Sequence, residues 1–249
     1  IRLSEQSDNN AALLQIFAQF LGTYGIDPAT GGSYGLGAIL SSTMGAASKV
    51  RDRFSIDGWA ALHDVANTPF EGFPFGTETA SQMGLLLRKL NGFSGLVHEN
   101  MYRFIGWRFL SIGRALERAH RMADLLSVFT DEDAPEGSLE LLLEVGDSAM
   151  SMSRRYAVSL SHATVLDLLA MDTKNPRAVL YQLTDMKDHI GVLPNATENG
   201  HLSELARSVL QVHTLLAIAT PETLTPASLA DLRDQISYLS VELTDAYIR

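Results

Sequence analysis

Arginine marks one side of the stretch from Glu99 to Phe129. On a helical wheel Arg103, Trp107, Leu110, Arg114, Glu117 and Arg121 fall on one stripe, and Arg118 adjoins it. Guanidinium forks match carboxylate and phosphate oxygens bidentately. Arg103, Arg114, Arg118 and Arg121 against the single acid Glu117 leave positive charge to spare on an acidic chain. The pattern suits an anion site for a peptide carboxylate or a phosphate. Trp107 would wall it, and Glu117 would orient the arginines or move a proton. Arg154-Arg155 would enlarge such a site. The competing reading is an internal salt-bridge network that sets helix register. Arg114–Glu117 and Glu117–Arg121 have the spacing for local pairs, and Glu144, Asp147, Asp167 or Asp172 could absorb the remaining charge.

Other chemistries fit less well. Glu117–His120 and Glu198–His201 have the Glu-x-x-His spacing of di-metal bundles. The second pair spans Asn199-Gly200, however, and arginines beside the first would repel a cation, so no metal is expected. His189 with Asp185 reads as a solvated i,i+4 pair. No serine sits in a G-x-S-x-G turn. The Gly25–Gly37 loop, GIDPATGGSYGLG, lacks the Gly-Lys-Ser/Thr or full G-x-G-x-x-G of a phosphate loop. Lys49, Lys89, Lys174 and Lys187 all lie away from it, so ATP chemistry would belong to another domain or partner. Arg51 and Arg53 read as solvated residues near a helix end.

Composition narrows the classes further. The 249 residues are 46% hydrophobic, enough for a sizeable core. A formal charge of -10 argues against nucleic acid or an anionic membrane as partner. The absence of cysteine excludes disulfides, thiol catalysis and thiolate metal sites. No apolar run reaches the roughly 18 residues of a membrane helix, and no signal peptide opens the chain, which points to the cytoplasm. The abrupt start at Ile1 reads as the C-terminal portion of something longer.

The elements that must position the stripe are all helical. Asp8 or Asn9 caps a helix through Phe20. Leu36–Arg53 and a Ser55-capped segment through Val65 follow. Asn67–Gly76, with three phenylalanines, is a loop. Thr77–Leu90 is a helix that Asn91-Gly92 breaks or bends, and Glu99–Phe129 is one long central helix. It carries Ile105, Phe109, Ile112, Leu116, Ala119, Ala123 and Leu126 on its apolar face, and Gly106 and Gly113 on a third side admit a close neighbour. The acidic loop Asp131–Gly137 is the clearest punctuation and a candidate internal division. Ser138 caps a helix to Tyr156, Ser161–Met171 is helical, and Asn175-Pro176 starts a helix to Ile190. His201–Thr220 and Pro226–Tyr247 close the chain. No alternating strand is evident. The expectation is one all-α domain over residues 1–249, a bundle of eight to ten helices.

Glu99-Asn100-Met101, Gly106-Trp107-Arg108-Phe109-Leu110, Gly113-Arg114 and Glu117-Arg118-Ala119 resemble the bacterial alpha-E domain family, a helical domain of unknown function. Ser153-Arg154-Arg155-Tyr156, Val165–Leu169, Asp172 and Asn175-Pro176-Arg177 extend the resemblance to the C-terminus. Members of that family stand alone or behind a circularly permuted ATP-grasp domain. The resemblance therefore implies an accessory role beside ATP-driven amide or peptide ligation, with an ATP-grasp ligase domain as partner and no cofactor of its own. A stand-alone enzyme and an oligomerisation domain are the alternatives. The family carries two copies of a Trp-Gly-Arg-Glu helix. Here only the copy at Trp107–Ala119 is found, so the other lies upstream of Ile1 or is lacking.

Overall fold

The computed structural model describes residues 36–68, 77–156 and 159–247. The helix expected after Asp8, most of the glycine-rich loop and the phenylalanine loop lie outside these. The described residues form ten α-helices and one short hairpin, an all-α multi-helix bundle. They fall into two compact units divided between Arg103 and Phe104. The acidic loop 131–137 lies inside the second.

The first unit holds α1 (Leu36–Ser48), a 3-10 turn (Arg51–Arg53), α2 (Ile56–Ala66) and α3 (Thr77–Asn100). Ser55 caps α2 by accepting from the Gly58 amide at 3.0 Å. Leu40, Val65 and Leu86 form the shared core of the three helices. Asn91-Gly92 does not break α3, which runs unbroken to Asn100. A glycine inside a helix costs about 1 kcal/mol, less than the burial of Leu86, Val97 and Met101 along α3 and just beyond its end returns. Glu99 therefore ends one helix and does not begin the next.

The second unit is built around α4 (Ile105–Phe129). Around it lie α5 (Ser138–Val145), α6 (Ala149–Arg155), α7 (His162–Leu166), α8 (Val179–Ile190), α9 (Glu204–Ala217) and α10 (Pro226–Tyr247). α4 packs on both α8 and α10, and α9 closes the other side of that pair. Ile112, Ala115, Ala119, Ala123 and Leu126 of α4 are fully buried, as are Leu183 and Met186 of α8 and Leu229 and Ile236 of α10. The close approach uses the alanines, because Gly106 and Gly113 are exposed. Asp124, 4% exposed at its side chain, ties α4 to α10 through Arg233 at 3.1 Å.

Three further departures have identifiable causes. The helix expected over Ser138–Tyr156 is two, parted at Gly146–Ser148. A Cβ on Gly146 would stand 2.8 Å from Leu169 Cδ2, so only glycine lets the chain pass that side chain. Asn175 does not start α8; its Oδ1 accepts from the Arg177 amide at 3.0 Å in a turn, and the helix begins at Val179. Thr197–Glu198 and His201–Leu202 pair as a two-residue hairpin around Asn199-Gly200, both left-handed. Ser161 caps α7 with a capping box, and α7 continues as a π-turn over Asp167–Met171.

Candidate functional site

Where α4 lies against α8, Arg108 and Trp107 of α4 meet His189 of α8. Arg108 Nη1 lies 3.2 Å from His189 Nδ1. A guanidinium only donates, so Nδ1 accepts and the imidazole proton sits on Nε2. Nε2 faces Asp185 Oδ1 at 3.6 Å. Trp107 stands edge-on to the same ring, centroids 4.8 Å apart. His189 is thus buried, not solvated as its spacing to Asp185 first suggests. Burial holds its pKa below the ordinary imidazole value, with Arg108 and Arg114 adding to the effect and Asp185 opposing it.

That contact marks the register of the two helices. Ten residues along α4 from Arg108 to Arg118 is a rise of about 15 Å. The same distance back along α8 from His189 reaches Val179, beside the turn that carries Arg177. Arg118 accordingly feels Arg114, Arg177, Asp185 and Tyr181. Its guanidinium is held below the usual value, first by desolvation and then by Arg114 and Arg177. Neither Arg114 nor Arg118 makes an ion pair or hydrogen bond among the described residues. Arg177 reaches Asp147 only loosely, at 3.7 Å.

The remaining residues picked out by spacing are distributed elsewhere. Glu117 and Arg121 pair with each other at 2.9 Å on the exposed side of α4. The Arg114–Glu117 pair that the spacing allows is not among the ion pairs of the described residues. Arg103 belongs to the first unit, where its guanidinium donates to the His98 carbonyl. Arg155 is taken up by Asp172 and Asp167 and lies over the Tyr156 ring. The Tyr156 hydroxyl donates to Asp167. Burial, followed by that hydrogen bond, pushes the phenol up to about 12. Arg154 is exposed at the end of α6. Arg108, Arg177, Tyr181, Asp185 and His189 join Arg114 and Arg118 only through the fold. The signal that could have found them is their helical spacing on α8 and their place in the motif segments. Among the described residues no group of three or more His, Asp or Glu has a metal-holding arrangement. No helix there is long and apolar enough to cross a membrane.

Residues 4–248 match the model of the Alpha-E family, described as a predicted alpha-helical domain with a conserved ER motif. The one Glu-Arg dipeptide in this sequence is Glu117-Arg118. An uncharacterized protein of Mycobacterium tuberculosis is 28% identical over 217 residues, covering 82% of this chain and 24% of the relative. An uncharacterized protein of Mycobacterium bovis matches to the same extent. The chain therefore spans about a quarter of the length of these relatives. No solved structure matches it.

Proposed function

The chain belongs to the Alpha-E family, and from that premise we propose that it is a helical accessory module with an anion site in the α4–α8 seam. It holds a carboxylate or phosphate group of a substrate or product for amide or peptide ligation, in the cytoplasm, while an ATP-grasp-type ligase domain supplies the ATP chemistry. One observation carries the reading: Arg114 and Arg118, one turn apart, have no acid paired with them, while Arg155 and Arg233 elsewhere in the unit are fully matched. Arg118 is exposed and Arg114 half-buried, so a dissolved anion can reach both. The ligase association rests on the motif segments, and the anion-site reading rests on the two α4 arginines without an acid partner.

A thermal-shift titration of the chain with phosphate, acetate and short peptides tests it. Binding to the native state raises Tm by linkage. A shift with an anion that disappears in Arg114→Gln/Arg118→Gln, while that variant stays folded, supports the site. No shift with any anion removes it. A second reading, an enzyme in its own right with Glu117 as its acid–base group, is favoured by the match of Glu117-Arg118 to the family's ER motif. Turnover by this chain alone, lost in Glu117→Gln, would replace the first reading with the second.

A further inference from the structure

The hairpin that follows α8 and the end of α10 enclose a cleft of about 560 Å3 within the second unit. Its walls carry Glu198 of the hairpin, Glu204 and Arg207 of α9, and Tyr238, Glu242 and Tyr247 of α10. Hydrogen bonds fix these walls. The Ser203 amide donates to the Ala196 carbonyl at 2.9 Å and closes the hairpin. The Tyr247 hydroxyl donates to the Pro194 carbonyl at 2.7 Å and ties the end of α10 to the loop before the hairpin. The Ser208 hydroxyl donates to Glu242 Oε1 at 2.9 Å and joins α9 to α10. A cleft built in advance spares a ligand the cost of ordering it.

The acids of this cleft are under-satisfied. Glu242 Oε2 is enclosed and has no hydrogen-bond partner, the one buried side-chain oxygen or nitrogen in that state among the described residues. An enclosed carboxylate oxygen without a donor costs free energy, so the position calls for one. Glu198 and Glu204 make no ion pair among the described residues, with Arg207 or with any other base. Glu204 has a local task in the first turn of α9, where its charge offsets the helix dipole. Glu198 has none. Asp245 also lines the cleft but is already engaged. The last turn of α10 holds no basic residue, so the negative end of its dipole is not offset from within the helix. Among the described residues no group of His, Asp and Glu has a metal-holding arrangement, so the missing donor suits a ligand that brings its own. An ammonium carries three N–H donors and a positive charge. Tyr238 and Tyr247 supply aromatic surface for an alkyl chain beside it.

We propose that this cleft binds a primary alkylammonium group, with Glu242 accepting from its N–H groups and Glu198 and Glu204 adding to the attraction. The cleft and the anion site share no residue, so each stands or falls apart from the other. The group comes either as a free amine or as the lysine side chain of a peptide.

The test is an NMR titration of the 15N-labelled full chain at pH 7.5 and low salt with n-butylammonium, tetramethylammonium, n-butanol and Nα-acetyl-lysine amide. n-Butylammonium shifts the amide signals of residues 198–207 and 238–247. It binds about tenfold or more tightly than tetramethylammonium, which has charge but no donor, and than n-butanol, which has a donor but no charge. A hydrogen bond to an ionised group is worth about that factor. Glu242→Gln keeps an acceptor for Ser208, removes the charge and weakens binding about tenfold. Glu198→Gln, on the exposed hairpin, keeps the fold and weakens binding about threefold. Glu132→Gln, in the acidic loop, leaves the affinity unchanged. Nα-acetyl-lysine amide binding as tightly as n-butylammonium identifies a lysine side chain as the ligand, and much weaker binding identifies a free amine. Tetramethylammonium equal to n-butylammonium, a loss in Glu132→Gln as large as in Glu242→Gln, or no shift at the cleft overturns the proposal and leaves the anion site untouched.

Discussion

Replacing Arg118 by glutamine should make the protein more stable. Arg118 and Arg114 sit one turn apart on α4, about 6 Å along the axis. Two like charges at that separation in water repel by about 0.7 kcal/mol, which physiological salt roughly halves. Arg177 adds a second repulsion and Asp185 an attraction of comparable size. The net is a destabilisation of about 0.3–0.5 kcal/mol, in the range measured for like-charged i,i+4 pairs. Partial desolvation of the guanidinium acts in the same direction. Glutamine keeps most of the aliphatic stem and removes the charge. Urea unfolding should therefore show a gain of about 0.3–0.5 kcal/mol, or roughly 1–2 °C in Tm for a chain of this size. The gain should shrink at 1 M salt, where the Debye length is about 3 Å. Were Arg118 a member of a closed ion-pair network, removing it would strand its partners and cost about 1 kcal/mol or more. A loss of that size refutes the reasoning.

Gly146→Ala forces a Cβ to within 2.8 Å of Leu169 Cδ2 and 3.1 Å of the Leu142 carbonyl, and should cost about 1–3 kcal/mol in urea unfolding. Asp124→Ala leaves Arg233 with Asp234 alone and opens the buried tie between α4 and α10. It should cost about 3 kcal/mol, with Asp124→Asn recovering part of that. His189 and His213 both have pKa values lowered by burial. The unfolded chain therefore takes up protons first. Stability is complete above the unfolded value of about 6.5 and is lost as pH falls through the folded values. Unfolding curves at pH 7.5, 6.5 and 5.5 should show that decline, and His189→Gln should flatten it.

What was legible in the sequence was periodic or local. The apolar spacing of Ile112, Ala119, Ala123 and Leu126 exposes the buried face of α4 directly, and Ser55 and Pro226 mark helix starts by chemistry confined to one turn. Glycine was harder to weigh. Asn91-Gly92 looks like a stop yet sits within α3, because burial on the helix outweighs a cost of about 1 kcal/mol. The break after Val145 was equally hidden: Asp147 turns left-handed there, and Leu169, over twenty residues away, occupies the space of a Cβ at Gly146. The Glu198–His201 spacing proves to be a hairpin, where Asn199 and Gly200 adopt the left-handed conformation. At the candidate site the arginine stripe of α4 is visible in one dimension. The register that sets Arg108 on His189 depends on how the buried faces of α4 and α8 seat together, and no local pattern states it.

The central claim is that Arg114 and Arg118 are open cations awaiting an anion. Arginine footprinting with phenylglyoxal, read residue by residue by mass spectrometry with and without phosphate, tests it most directly. Arg114 and Arg118 should react faster than the acid-matched Arg155 and Arg233, and phosphate should slow those two sites several-fold while leaving Arg121 unchanged. Arg114 and Arg118 reacting no faster than Arg233, with no protection by phosphate, would contradict it.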